Sequence, residues 1–122
     1  MLREHFYTLP NPVPKNDTVF RTVIVLNKDH DIFKGHFPEL PVVPGVCMMA
    51  IVKELLEENT GKKLMLQSTL TMKFMALINP NEHTEVEVEI KYTVNDDGTI
   101  TADGIIYAGN RPYFKITKAV YR

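Results

Sequence analysis

The residues most able to do chemistry are a histidine set between a glycine and prolines, Gly35-His36-Phe37-Pro38, and the run Pro41-Val42-Val43-Pro44-Gly45-Val46 that follows it. An imidazole gains or loses a proton near neutral pH. Prolines restrict the backbone before folding as well as after it, and glycines let another group come close, so such a loop is built to hold a position. It feeds into a stretch of good helix formers. The first N–H groups of a helix have no internal acceptor and suit a developing negative oxygen, and here Gly45 and Val46 would supply them. A base beside oxyanion donors suits removal of a proton next to a thioester or ketone carbonyl, where an enolate oxygen needs stabilising. The plainer alternative makes His36 a hydrogen-bonding member of a stiff turn, and spacing by itself leaves both open.

The elements that must position this loop can be read on either side of it. Pro10, Pro12 and Pro14 forbid a regular helix and disfavour a central strand, so residues 1–14 read as an extended arm or edge segment. Residues 18–26 are rich in β-branched types and read as a strand. Gly35, Pro38, Pro41 and Pro44 leave residues 32–44 as a loop without regular structure. Residues 45–58 predict the one long helix, with Gly61 as its stop, apolar all round at first and polar on one side later. After it the period becomes two. Residues 63–74 read as one long strand, residues 79–82 as a turn, and residues 84–92 as a strand of strict alternation. Asp96-Asp97-Gly98 and Gly109-Asn110 are hairpin signals between strands near residues 100–108 and 112–120. The order is strand, loop, helix, four strands. Short turns between consecutive strands predict an antiparallel α+β sheet with one helix on its face.

Composition narrows the partners. The chain has 122 residues, with 14 Lys and Arg against 15 Asp and Glu for a net charge of −1. That length fits one domain over 1–122, and that balance offers no surplus to neutralise nucleic acid. The longest apolar run, residues 46–52, is too short to cross a bilayer. A lone cysteine, Cys47, and a start without an apolar signal region lead to an expected cytoplasmic location. A helix apolar on nearly every side also needs more cover than so small a domain offers.

Gly35-His36-Phe37-Pro38 with Pro41-Val42-Val43-Pro44-Gly45-Val46 resembles the signature of the hotdog-fold 3-hydroxyacyl-(acyl carrier protein) dehydratases. The likeness reaches from Val19 to Tyr92, taking in Asp29-His30-Asp31, Phe33, Met72-Lys73-Phe74 and the turn at Pro80. The resemblance implies a curved antiparallel sheet around one central helix. It also implies a homodimer with continuous sheets, in which the second chain supplies the missing helix cover. Assembly beyond the dimer, or pairing with a different hotdog chain, stays open. It implies that His36 removes the α proton of a 3-hydroxyacyl thioester on acyl carrier protein. Gly45 and its neighbour Val46 would hold the thioester oxygen, and Gly35, Phe37 and Ala50 would complete the substrate site.

The chain departs from that pattern at one position. The family's acid should lie four residues after Val46, yet the residue there is Ala50. In one reading Glu54, one turn further on, stands in as the acid, through a longer reach or a bridging water; its plainer reading is a solvated residue of a polar helix end. His36 acting alone or with a water, in slower dehydration, isomerisation or thioester hydrolysis, and a disabled subunit that binds acyl chains or an active partner, remain as other readings. Cys47 reads as packing. Met48, Met49, Met65, Met72 and Met75 read as tunnel lining, core filling or both. His30 and His83 have no ligand-like spacing, so no metal and no cofactor are expected. Lys62, Lys63, Lys73 and Arg111 are candidates to meet an acidic carrier, or ordinary surface cations.

Overall fold

The computed structural model describes residues 2–35 and 41–122. Seven strands form one antiparallel sheet: β1 (Tyr7–Thr8), β2 (Val19–Leu26), β3 (Leu66–Ser68), β4 (Thr71–Phe74), β5 (Glu85–Val94), β6 (Ile100–Ala108) and β7 (Arg111–Tyr121). Among the described residues two helices interrupt them, α1 (Ile32–Gly35) and α2 (Gly45–Thr60). The sheet runs β1-β2-β5-β6-β7-β3, with β4 also on β7.

Alternation decides which face of the sheet is dry. Along β5, Val86, Val88, Ile90 and Tyr92 are buried while Glu85, Glu89 and Lys91 are exposed. The tight turns match their signals, with Gly98 at φ 86 and Gly109 at φ 58. α2 lies on the dry face and ends where Gly61, at φ 71, donates its N–H to the Glu57 carbonyl. One close approach of helix to sheet is at Gly104. A Cβ there would stand 3.1 Å from Val52 Cγ1 and 3.3 Å from Ile116 Cγ2, so the glycine lets helix and sheet meet.

Several sequence expectations need correction. Residues 32–44 are not wholly irregular, because one helical turn forms at α1. Residues 63–74 are not one strand: β3 and β4 are separate, and the pairing of β3 with β7 carries a register shift. The turn at residues 79–82 forms, with the Glu82 and His83 N–H groups on the Asn79 carbonyl. It does not join neighbouring strands, however, since β4 pairs with β7 and β5 lies between β2 and β6.

Most of the helix cover comes from this chain itself. Phe6 and Tyr7 are fully buried, and the chain then crosses the C-terminal half of α2. Asn59, buried on that helix, donates to the Pro14 carbonyl at 2.8 Å and the Asp17 carbonyl at 3.1 Å, and accepts the Tyr92 hydroxyl at 2.6 Å. Lys15 donates to the Glu58 carbonyl at 2.8 Å, and Arg3 meets the Glu58 carboxylate at 2.7 Å. The arm thus takes over much of the cover expected from a second chain. What stays open on α2 is the side carrying Val46, 71% exposed, with Met49 and Ala50 half-buried.

Candidate active site

The start of α2 has the geometry of an anion site. Pro44, in extended conformation at φ −62 and ψ 147, precedes the helix and offers no side-chain cap. Its carbonyl takes the Cys47 N–H at 3.0 Å and the Met48 N–H at 3.3 Å. The N–H groups of Gly45 and Val46 have no acceptor among the described residues. The segment before them is tied to the loop after β4 by the Val43 N–H on the Ile78 carbonyl, 2.9 Å.

An apolar cavity opens against this helix start. It measures ≈ 520 Å³ and is lined by Val43, Gly45, Met48, Phe74, Met75, Ala76 and Leu77. The Phe74 ring lies so close to Gly45 that a Cβ at position 45 would stand 2.8 Å from its Cε1, and its other side rests on Phe114 with centroids 5.0 Å apart. Such a volume, mostly hydrocarbon-walled and ending at free N–H groups, fits a chain that is apolar along its length and carries a carbonyl at one end. Of the methionines expected to line a tunnel, Met48 and Met75 do so, while Met65 is 62% exposed elsewhere.

His36 and Phe37 lie outside the described residues. Their flanks are anchored: Phe33 is buried with its ring 5.4 Å from that of Phe6, and Val42 and Val43 are buried beyond the segment. Gly35 closes α1.

Glu54 is not a solvated residue. It is 6% exposed, and its carboxylate accepts the Leu2 N–H at 3.0 Å, the Arg3 N–H at 3.1 Å and the Tyr7 hydroxyl at 3.1 Å. Burial, reinforced by the Glu54 charge, drives the Tyr7 hydroxyl far above its ordinary pKa of 10.0. Burial, and then Glu54, also pushes the Cys47 thiol up, opposite to what activation at a helix start would require and in keeping with packing. The arm-holding role of Glu54 was absent from the sequence reading; its only trace there was an acidic residue one turn beyond Ala50. His30 uses Nδ1 to accept the Ile32 N–H at 3.1 Å and lies edge-on to Phe6, and His83 lies against Tyr113. No set of three or more His, Cys, Asp or Glu among the described residues is grouped to hold a metal.

Comparison with known proteins places this arrangement. The model of a family described as ApeI-like, ApeI dehydratase, matches residues 13–104. This chain belongs to the ApeI-like dehydratase family. Among its relatives is a 3-hydroxyacyl-(acyl-carrier-protein) dehydratase FabZ of Ruminiclostridium cellulolyticum, 30% identical over 77% of this chain and 74% of that one. The FabZ of Bacillus velezensis is 33% identical over 51% of this chain and 49% of that one. The fold is that of the dehydratase heterocomplex ApeI:P from Xenorhabdus doucetiae, with a TM-score of 0.61 at 17% identity, covering 95% of this chain and 94% of that one. A protein from Erwinia carotovora subsp. atroseptica gives 0.60 at 22% identity, covering 88% and 89%. Fold and sequence therefore agree on a hotdog dehydratase-like chain. Among the described residues, no helix is long and apolar enough to cross a membrane.

Proposed function

We propose that this protein dehydrates a 3-hydroxyacyl thioester carried on acyl carrier protein, giving the trans-2-enoyl thioester and water. The observation that carries the reading is the apolar ≈ 520 Å³ cavity lined by Gly45 at the start of α2, whose first N–H groups have no other partner among the described residues. The acyl chain lies in the cavity and its thioester oxygen faces Gly45 and Val46. His36 takes the proton from the α carbon, the electron pair forms the new double bond, and the β carbon–oxygen bond breaks as the hydroxyl leaves with a proton as water. Gly35 and Phe37 flank the base in this reading. The test supplies a 3-hydroxyacyl carrier-protein thioester and follows enoyl thioester and free thiol separately. Enoyl product without thiol release supports the reading, and thiol release without enoyl product makes the protein a thioesterase.

The working unit in this reading is a dimer closed through β4. That strand pairs with β7 on one side only; Leu70, just before it, is 67% exposed, and Met72 and Phe74 along it are 36% and 53% exposed. A second copy pairing there extends the sheet.

Position 50 favours one further reading. Ala50 lies on the open side of α2, with Val46 and Lys53, whereas Glu54 is turned toward the arm and fully engaged. The proton for the leaving hydroxyl then comes from water, or from a carboxylate that a different hotdog chain presents at the corresponding helix position. Ala50→Glu raises the rate if only that group is missing, and co-purification with a second hotdog chain carrying such a carboxylate supports the mixed pair.

A further inference from the structure

The outer face of the sheet, away from α2, carries a charge pattern that the dehydratase reading does not use. One row of neighbours crosses four strands: Glu89 faces Ile105, Ile105 faces Lys115, and Lys115 faces Lys73. Along β5 the acid repeats at every second residue, Glu85, Glu87 and Glu89. The bases gather at the other side, where two lysines stand directly opposite each other, a destabilising arrangement unless a negative group comes between them. Neither lysine forms a hydrogen bond or ion pair with a described residue, and the three glutamates form none either, although Arg21 stands opposite Glu89, donates to the Tyr107 hydroxyl at 3.2 Å and lies in the field of Glu87 and Glu89. Between the two charged stripes lie Ile105 and Tyr107, half-buried, and beyond the acids come half-buried Val23 and Val25. An outward face with this much β-branched and aromatic surface resembles one layer of a sandwich more than a solvated wall.

We propose that this face is a contact between two copies of the chain, stacked sheet against sheet about a two-fold axis running along β6. Strand spacing places the acidic and basic stripes roughly 10 to 15 Å apart, on either side of that axis. The axis brings Ile105 against Ile105 and sets Glu89 of each copy over Lys115 and Lys73 of the other. Sheets stack about 10 Å apart, within the joint reach of glutamate and lysine side chains. The same patch serves both copies, as a two-fold contact requires. A second copy fits better than an acidic foreign partner, because it brings opposite charge both to the lysines and to a row of three glutamates that Arg21 alone does not balance. The proposal does not depend on the chemistry proposed for the cavity, nor on pairing through β4.

Charge exchange tests it by sedimentation. One variant carries Lys73→Glu with Lys115→Glu, the other Glu87→Lys with Glu89→Lys. The stacked contact predicts that each variant alone sediments at half the mass of the wild type at low salt. An equimolar mixture recovers the full mass, because every facing pair is then again opposite in sign, and high salt halves the wild-type mass. A misfolded variant would not be rescued by mixing. Equal masses for the wild type and both variants, a mixture that fails to recover, or loss of association in only one of the two variants overturns the proposal.

Discussion

The carboxylate of Glu54, one helical turn beyond Ala50, accepts the hydroxyl of Tyr7 at 3.1 Å, across 47 positions of sequence, and so is engaged by the arm. Two backbone N–H groups of the arm complete its set of donors. The carboxylate nearest in sequence to Ala50 therefore acts as an anchor for the arm.

That assignment separates stability from rate. Glu54→Gln turns an amide NH2 toward groups that need an acceptor and costs about 1–3 kcal/mol, read by denaturant unfolding. Tyr7→Phe costs about 0.5–1.5 kcal/mol. The two losses are less than additive, as a double-mutant cycle will register. Turnover by folded Glu54→Gln stays within about twofold of wild type, whereas a general acid would cost a hundredfold or more.

Alkaline titration reports on a second buried ring. Burial pushes the Tyr121 hydroxyl up to about 12 from 10.0. A raised folded-state value means that the folded form keeps the proton longer. The stabilisation is whole below pH 10 and disappears as pH rises toward 12, a loss of roughly 2–3 kcal/mol from this group. Unfolding measured from pH 9 to 12 should show that fall, and Tyr121→Phe should flatten it. Tyr7, held protonated in the same sense, adds to the fall above pH 10.

The β4 edge gives a third outcome. Leu70→Lys together with Met72→Lys places charge on the free side of the sheet and should abolish sheet-extending association in light scattering, while far-UV circular dichroism stays unchanged. Because the proposed working unit is the dimer closed through that edge, turnover per chain falls at least tenfold. Undiminished association would remove β4 from the dimer contact.

The legibility of the chain followed the range of the interactions involved. β5, β6 and β7 were readable because alternation and hairpin glycines are local, and α2 because an apolar run ends at Gly61, whose φ of 71 only glycine adopts freely. The break between β3 and β4 was not, since it is set by a partner: the Thr69 hydroxyl and the Leu70 N–H both bind the Thr117 carbonyl, at 2.9 and 3.1 Å. Glu54 escaped for the same reason, as its donors Leu2 and Arg3 lie 52 and 51 residues away. The helix start with its glycine was legible as an anion site. The Phe74 ring that walls the cavity against Gly45 was not, because β4 reaches it by pairing with β7 rather than with its neighbour in sequence.

The proposed elimination needs a base at position 36. Its most direct test is the rate at which 2-enoyl thioester forms from a 3-hydroxyacyl carrier-protein thioester, wild type against His36→Ala, with both proteins shown to be folded. The reading predicts formation by the wild type and a loss of about a hundredfold or more in the variant. Equal rates, or no enoyl product from either protein, would contradict it.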